Sequence, residues 1–152
     1  MYPKNNMVNY NKEDLEDHEA IAAVIKNNKG EILMLDHVKY GFWTIVIGKA
    51  KHGQDSEGGM KQEVFEEVGI IVLGCKRVSR REVDYIRNEK KVKVIANIFE
   101  ITKYSGKIEN KEPEKHRKIE FMDIEKIKKL PYLSNDTIKY LEILGFKREA
   151  RI

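Results

Sequence analysis

The segment 48-GKAKHGQDSEGGMKQEVFEEVGI-70 carries the strongest structural signal in this sequence. It starts as a basic loop with glycines and ends with Glu63, Glu66 and Glu67, three like charges within five positions. Because a helix turns by about 100° per residue, these carboxylates would share one side of a helix. The segment therefore predicts a loop, a helix and a second loop, with the three glutamates presented together.

The predicted helix covers residues 57–68. Its neighbouring side carries an apolar stripe, formed by Met60, Val64 and Val68. Such a stripe can anchor the helix on a core while the other side stays available for a ligand. Asp55 or Ser56 is expected to cap the start, and Gly69 is the residue type that stands just beyond a helix end.

Three carboxylates at this spacing repel one another unless a cation or counter-charges neutralise them. Mg²⁺ and Mn²⁺ prefer oxygen ligands of this kind and usually also bind substrate phosphates. The alternative is a solvated acidic helix surface, since glutamate is a good helix former. The loop with glycines before the helix and the glycine stop after it favour a ligand site.

Size and composition predict one domain over residues 1–152, with a polar leader over 1–17. The chain is 41% hydrophobic and 36% charged, which is enough to bury a core at this length. No apolar run approaches the ~18 residues of a membrane span, and the N-terminus is too polar for a secretory signal, so we expect a cytoplasmic protein without a membrane partner. The single Cys75 excludes an internal disulfide and a cysteine-rich metal site. A net charge of +4 favours an anionic partner only weakly, because acidic residues are interleaved.

Hydrophobic patterning predicts a mixed α/β fold. The expected strands are 20–27 and 31–38 around a tight turn, then 42–47, 70–78, 81–86, 91–104 and 119–123. A short helix at 124–129 and a last helix at 136–144 complete the order. Phe42 and Trp43 are expected to pack in the core, with one wall of a base-binding pocket as the alternative.

With these residues in view, the sequence resembles the Nudix hydrolase family. The family motif runs glycine, five residues, glutamate, seven residues, then Arg-Glu-hydrophobic-any-Glu-Glu-any-Gly-hydrophobic. This chain matches seven of the nine specified positions without a gap. The matched positions are Gly48, Glu63, Val64, Glu66, Glu67, Gly69 and Ile70. The resemblance implies an α/β/α sandwich, with a loop-helix-loop motif, over residues 18–145.

The resemblance also implies an activity, namely hydrolysis of a nucleoside diphosphate linked to a group X, with Mg²⁺ or Mn²⁺ held by Glu63, Glu66 and Glu67. Glu63 is then a candidate general base, although family members differ in which carboxylate serves. Glu67 shares the catalytic assignment. Metal chemistry agrees with this, because bound cations orient a pyrophosphate and acidify a water.

A second resemblance lies in the loop 110-NKEPEKHRK-118, which is similar to a segment of Nudix enzymes that act on nucleoside triphosphates. In that subgroup a loop glutamate reaches the metals. Glu114 is the first candidate for this catalytic and metal-binding role, and Glu112 is the second. The alternative is an exposed charged loop closed by Pro113.

Two positions depart from the motif. Gln54 stands where the family has its first glutamate, and Gln62 replaces the arginine that usually orients a motif glutamate. An amide can still donate to a carboxylate, but it lacks the bidentate charged pair. If Gln62 orients Glu66 or Glu63, then Gln62→Arg is expected to raise activity or leave it unchanged. The carbonyl before Gly48 remains a potential metal ligand.

In the loop before the helix, Gly48, Lys49 and Lys51 are candidates for binding the metal-nucleotide complex. His52 is a further candidate for a phosphate contact, with a solvated loop as the alternative. His18, His37, His52 and His116 show no metal-ligand spacing among themselves, so each is interpreted as a surface or hydrogen-bonded histidine.

The sequence favours a nucleoside triphosphate as substrate, cleaved to monophosphate and pyrophosphate. Dinucleotide polyphosphates, ADP-ribose and a capped RNA 5′ end remain alternatives, the last encouraged by the basic charge. A nucleotide-binding Nudix protein without turnover and a regulatory domain with a coincidental acidic helix are the rivals from other classes. A homodimer would be in keeping with the resemblance.

Overall fold

The computed structural model describes residues 9–51 and 53–146 of the chain. Within these residues, three helices and seven strands follow a short 3₁₀ helix at Glu13–Leu15. The strands are β1 His18–Val24, β2 Ile32–His37, β3 Phe42–Thr44, β4 Val46–Lys49, β5 Ile71–Arg87, β6 Lys90–Ser105 and β7 His116–Met122. The helices are α1 Ser56–Val68, α2 Ile124–Lys128 and α3 Asn135–Ile143.

The strands form two sheets in the centre of the molecule. One sheet has the order β4-β1-β6-β5 and the other the order β3-β2-β7. Among these seven strands, β1 and β6 pair in parallel, and the remaining neighbours pair antiparallel. The predicted mixed α/β fold is confirmed.

Strand β1 shows why helices cover both surfaces of the sheets. Ile21 and Ala23 belong to a core that includes Val64 of α1, whereas Ala22 and Val24 belong to a second core that includes residues of α2 and α3. Side chains alternate along a strand, so a continuous apolar run buries both surfaces. The result is an α/β/α sandwich with α1 on one side.

The apolar run 42–47, predicted as one strand, is two strands in different sheets. Phe42–Thr44 pairs with β2, and Val46–Lys49 pairs with β1. Buried Ile45 lies between them and donates its backbone N–H to Thr137 Oγ1 at 3.0 Å. The single-strand prediction was therefore wrong. A run of apolar residues indicates that a segment is buried, but it does not indicate to which sheet each residue belongs.

The first predicted hairpin also divides between the sheets. Residues next to the turn still pair, through the bridge between Lys26 and Ile32, but β1 and β2 then enter different sheets. Conversely, the predicted strands 70–78 and 81–86 are one strand, β5, interrupted by register shifts. A tight turn with positive φ at Asn88 and Glu89 leads into β6.

Part of the polar leader packs on the sheet. Asp14 is only 3% exposed and accepts hydrogen bonds from Lys39 and Lys49, at 2.9 and 2.8 Å. Asn11 and Asp14 also exchange two side chain–backbone hydrogen bonds. In the described part of the chain, no helix is long and apolar enough to cross a membrane.

Candidate functional site

Helix α1 begins and ends as the glycines and acids around it predict. The Asp55 side chain caps the start by accepting from the Gly58 N–H at 2.8 Å. Gly69 ends the helix in the left-handed conformation, with φ of 78°, which a residue with a Cβ adopts only at a cost. The helix is thereby fixed with Met60, Val64 and Val68 fully buried.

Gly48 lies directly against the first of the three glutamates. A Cβ placed on Gly48 would stand 2.6 Å from Cδ of Glu63, closer than two atoms can approach. A side chain at the end of β4 would therefore force the Glu63 carboxylate to move, because the Gly48 backbone and that carboxylate share one small space. Gly48 and Glu63 both line the same cavity.

Half-buried Glu63 and buried Glu67 both carry carboxyl groups with strongly raised pKa values. Burial, reinforced by the charge of Glu66, raises the pKa of Glu63 to about 7. Burial, together with the charges of Glu63 and Glu112, raises the pKa of Glu67 to about 9. Glu67 is 3% exposed, and its Oε2 has no hydrogen-bond partner among the residues the structure describes. Such a concentration of uncompensated carboxylate favours the entry of a cation.

The exposed Glu66 is oriented by a chain of two amides. Lys51 donates its backbone N–H to Gln54 Oε1 at 3.1 Å, and Gln54 Nε2 donates to Gln62 Oε1 at 3.0 Å. Gln62 Nε2 then donates to Glu66 Oε1 at 2.9 Å. Gln54 and Gln62, the two departures from the family motif, are therefore hydrogen-bonded to each other. We call this series of hydrogen bonds, from Lys51 to Glu66, the amide relay.

The loop before β7 docks on the end of α1. Glu109 and Lys111 donate their backbone N–H groups to the carbonyls of Val68 and Glu67, at 3.0 and 2.9 Å. Both glutamate candidates of this loop lie near the site, but in different ways. Exposed Glu114 lines the cavity. Half-buried Glu112 is the one whose charge raises the pKa of Glu63 and Glu67.

The cavity beside these carboxylates has a volume of about 540 Å³, within the range of sites for small ligands. Cationic and aromatic side chains also line it, among them Lys39, Tyr40, Tyr85 and Arg87. Arg87 lies over the rings of Tyr10 and Tyr85, at 5.1 and 4.8 Å from their centroids. Lys39 lies 5.3 Å from the centroid of the Tyr40 ring. The cavity is thus lined by carboxylates of α1 together with cationic and aromatic side chains.

The other predicted contacts divide between the cavity and its surroundings. Lys49 lines the cavity and forms an ion pair with Asp14. Lys51 is exposed and reaches the site through its backbone, as the first donor of the amide relay. His52 lies outside the described residues. Phe42 is buried, lines the cavity and stacks on Tyr40 at 5.2 Å between centroids.

The interpretation of His37 and His116 as surface or hydrogen-bonded side chains was wrong. Both are buried, at 8% and 1% exposure, and their rings meet edge to face with centroids 5.3 Å apart. Within the described residues, His37 Nδ1 and both ring nitrogens of His116 have no hydrogen-bond partner. Sequence spacing gives no signal for this pair, because β2 and β7 bring the two histidines together.

The donor set fits a hard divalent cation. Glu63 and Glu67 supply carboxylate oxygens toward one cavity, Glu66 is held beside them, and Oε2 of Glu67 is buried without a partner. Oxygen donors of this type suit Mg²⁺ and Mn²⁺. In residues 9–51 and 53–146, no three acidic, histidine or cysteine side chains already form a closed metal-binding group. The side chains would therefore converge further around a bound cation.

Comparisons with known proteins agree with this fold. The chain is similar to the MutT NUDIX hydrolase from Burkholderia pseudomallei, with 21% identity, a TM-score of 0.72, and 85% and 98% of the two chains covered. It is similar to the MutT protein from Methanosarcina mazei Go1, with 24% identity, a TM-score of 0.66, and 87% and 97% covered. It is also similar to the E. coli dihydroneopterin triphosphate pyrophosphohydrolase, with 17% identity, a TM-score of 0.61, and 86% and 97% covered.

These identities show a shared fold. No curated protein sequence gives a significant match to the chain. A family model, in contrast, matches most of it: the NUDIX domain, over residues 16–142. The chain therefore belongs to the Nudix family.

Proposed function

We propose that this protein is a divalent-metal-dependent hydrolase of nucleoside triphosphates, which it converts to the monophosphate and pyrophosphate. The observation that carries the proposal is the mixed lining of one cavity. The carboxylates of Glu63 and Glu67 line it together with Lys39, Lys49 and Arg87. A nucleotide needs both kinds of group, because its metal-bound phosphates suit carboxylates and its base suits aromatic rings.

Glu63, Glu66 and Glu67 would hold Mg²⁺ or Mn²⁺, joined by Glu114 or Glu112 from the neighbouring loop. A bound cation would neutralise the phosphates and lower the pKa of a water. The net reaction adds one water across the α–β phosphoanhydride bond and releases pyrophosphate. Glu63 is our candidate to accept the proton of that water, since it lines the cavity against the backbone of Gly48.

In the same cavity, Tyr10 and Tyr85 flank Arg87 and offer a surface on which a base can stack. Lys49 is already neutralised in part by Asp14, so it would contact a phosphate as a hydrogen-bond donor more than as a free charge. One structural relative is by its name a pyrophosphohydrolase of dihydroneopterin triphosphate. That name is in keeping with a triphosphate substrate for this chain.

The test is a panel of nucleoside triphosphates, dinucleotide polyphosphates, ADP-ribose and capped RNA, incubated with Mg²⁺ or Mn²⁺ and followed by product identification. We expect pyrophosphate and a nucleoside monophosphate from one or more triphosphates. Cleavage of another substrate instead would keep the protein among the Nudix hydrolases but change the substrate class that we assign to it. Nucleotide binding without turnover of any substrate would contradict the enzyme assignment.

Matched variants sharpen this test. Glu67→Gln removes a carboxylate from the site and is expected to abolish turnover. Glu57→Gln removes one from the exposed start of the same helix, where it pairs with Lys61 at 3.2 Å, and is expected to leave turnover unchanged. Glu112→Gln and Glu114→Gln, compared side by side, identify which loop glutamate contributes to the site.

A further inference from the structure

The imidazole of His116 lies behind Glu67, the carboxylate with the most strongly raised pKa in the site. His116 Nε2 is 3.7 Å from Glu67 Oε1. Glu67 lines the cavity, whereas His116 is 1% exposed. The ring therefore approaches the carboxylate from the protein interior, on the side where a nucleotide does not enter.

Both side chains at this contact carry buried polar atoms without partners. Glu67 Oε2 and both ring nitrogens of His116 have none among the described residues. Buried polar atoms are nearly always hydrogen-bonded, so three unpaired ones on two neighbouring side chains call for an explanation. A movement of less than 1 Å would bring Nε2 and Oε1 to the ~2.9 Å of an N–H···O hydrogen bond.

The backbone around His116 is fixed on both sides. Its N–H donates to the carbonyl of Glu112 at 3.0 Å, and its carbonyl accepts from Asn110 Nδ2 at 2.8 Å. Its ring packs edge to face on His37, its partner across β2 and β7. The imidazole is thus held in place while its nitrogens remain available, so the adjustment that completes the contact falls to the longer side chain of Glu67.

We propose that His116 is a positioning residue for metal binding, which donates from Nε2–H to Glu67 Oε1 when Glu67 ligates a divalent cation. This inference rests on the proposed function, because it takes Glu67 as a metal ligand. A hydrogen bond to an ionised carboxylate is short and strong, so the bond is favoured by the state in which the cation is bound. It leaves the other oxygen of Glu67 for the cation and restricts the rotation of the carboxylate.

The first test measures Mn²⁺ affinity without nucleotide, from the electron paramagnetic resonance signal of free Mn²⁺. His116→Leu fills the space without a donor and is expected to weaken binding about 10-fold or more. His116→Gln retains an amide donor and is expected to stay within about threefold of wild type. His37→Leu, the packing control, replaces the buried ring that packs on His116 with an apolar side chain, and is also expected to stay within about threefold.

A double-variant cycle shows whether His116 acts through Glu67. In the Glu67→Gln background, His116→Leu is expected to cause no further loss of Mn²⁺ affinity. An additive loss, or an equal loss in His37→Leu, would assign the effect to packing and overturn the proposal. Unchanged Mn²⁺ affinity in a folded His116→Leu protein would overturn it as well.

A measurement on the wild-type protein removes any dependence on how the variants fold. Long-range ¹H–¹⁵N spectra of the histidine rings, with and without Mg²⁺, are expected to place the His116 proton on Nε2 and to shift it downfield when Mg²⁺ is added. A proton on Nδ1, or a signal that does not respond, contradicts the proposal. If the wild-type protein binds neither Mn²⁺ nor Mg²⁺, the proposed function fails too, which separates that failure from one confined to His116.

Discussion

At the scale of single residues, Gln54 and Gln62 must match each other as hydrogen-bond donor and acceptor. Gln62 accepts from Gln54 with its oxygen and donates to Glu66 with its nitrogen. Arginine has no acceptor, so Gln62→Arg would set its guanidinium against the Gln54 N–H₂ group. The structure thus changes the expectation from sequence, which foresaw a gain or no change from this substitution.

We predict that Gln62→Arg and Gln54→Glu each lower kcat/KM several-fold, and that the double variant Gln54→Glu/Gln62→Arg recovers wild-type activity or exceeds it. The reason is that the double change restores a charged, correctly paired donor and acceptor. A double-variant cycle on kcat/KM measures this, with an expected coupling of about 1–2 kcal/mol. Additive losses would show that the amide relay does not orient Glu66.

Gly48 gives the second residue-scale prediction. Gly48→Ala must displace the Glu63 carboxylate, because the added Cβ would stand 2.6 Å from Glu63 Cδ. We expect kcat to fall about 10- to 100-fold, since a shift of ~1 Å in a catalytic group has that effect. Steady-state kinetics and thermal unfolding, measured together, check that activity falls by more than stability.

The control for Gly48→Ala is Gly58→Ala. Gly58 lies in the first turn of α1, and a Cβ there would make an ordinary contact of 3.4 Å with Asp55. Alanine is the better helix former, so this variant is expected to keep full activity and to gain up to ~1 kcal/mol of stability. Equal loss of activity in both variants would indicate that the loop tolerates no side chain, rather than that Gly48 supports Glu63.

Residues in one sequence motif were open to prediction, and those joined only by the fold were not. The spacing of Glu63, Glu66 and Glu67 is sufficient to place the three carboxylates on one side of a helix. His116 is 49 positions from Glu67, and the two meet only because the loop before β7 docks on the end of α1. Nothing in the local pattern around His116 reports that contact.

At the scale of elements, the docked leader makes a pH-dependent contribution to stability. Burial alone would raise the pKa of Asp14, but hydrogen bonds from Lys49, Lys39 and the Asn11 backbone lower it from 3.8 to about 2. A carboxylate with a lowered folded-state pKa stabilises the protein above its unfolded pKa. This stabilisation is lost as the pH falls from about 4 to about 2.

We predict that Asp14 contributes about 1–2 kcal/mol to the free energy of unfolding at neutral pH, after allowance for its partly solvated lysine partners. Urea unfolding at several pH values between 2 and 5 measures it. Asp14→Asn is expected to lose this stability at neutral pH and to show a flatter pH profile over that window. Parallel profiles for the two proteins would contradict the assignment.

Elements with end signals were predicted closely, and elements without them were not. Helix α1 was expected at residues 57–68 and is found at Ser56–Val68, because a capping aspartate and Gly69 mark its ends. The run 42–47 has no such mark at Ile45, where the chain passes from one sheet to the other. The change of sheet is fixed by tertiary contacts, such as the bond from Ile45 to Thr137 on α3.

At the scale of the whole molecule, the clustered carboxylates of Glu63, Glu66 and Glu67 lower the stability of the metal-free protein and favour the binding of a cation. Buried carboxylates that raise each other's pKa oppose folding, and a bound cation reverses that effect. We predict that Mg²⁺ at about 100 times its Kd stabilises the protein by about 2.7 kcal/mol. In a domain of this size that corresponds to a rise of about 5–10 °C in Tm.

Thermal unfolding with and without Mg²⁺ checks this prediction in three proteins. The rise in Tm is expected in wild type and in Glu57→Gln, and it is expected to disappear in Glu67→Gln. A rise that persists in Glu67→Gln would place the cation elsewhere. No rise in the wild-type protein, even at high Mg²⁺ concentration, would favour a domain whose acidic helix binds no metal.

The amide relay has a consequence for how the site responds to dissolved ions. The family motif has a glutamate and an arginine where this chain has Gln54 and Gln62, so both versions carry zero net charge at these positions. Interactions between two full charges are screened by salt, with a Debye length of about 8 Å at physiological ionic strength, whereas a hydrogen bond donated by a neutral amide, as from Gln62 to Glu66, is screened less. Glu66 should therefore keep its orientation at salt concentrations that loosen the charged version. The activity of this protein is expected to fall less steeply with ionic strength than that of its Gln54→Glu/Gln62→Arg variant.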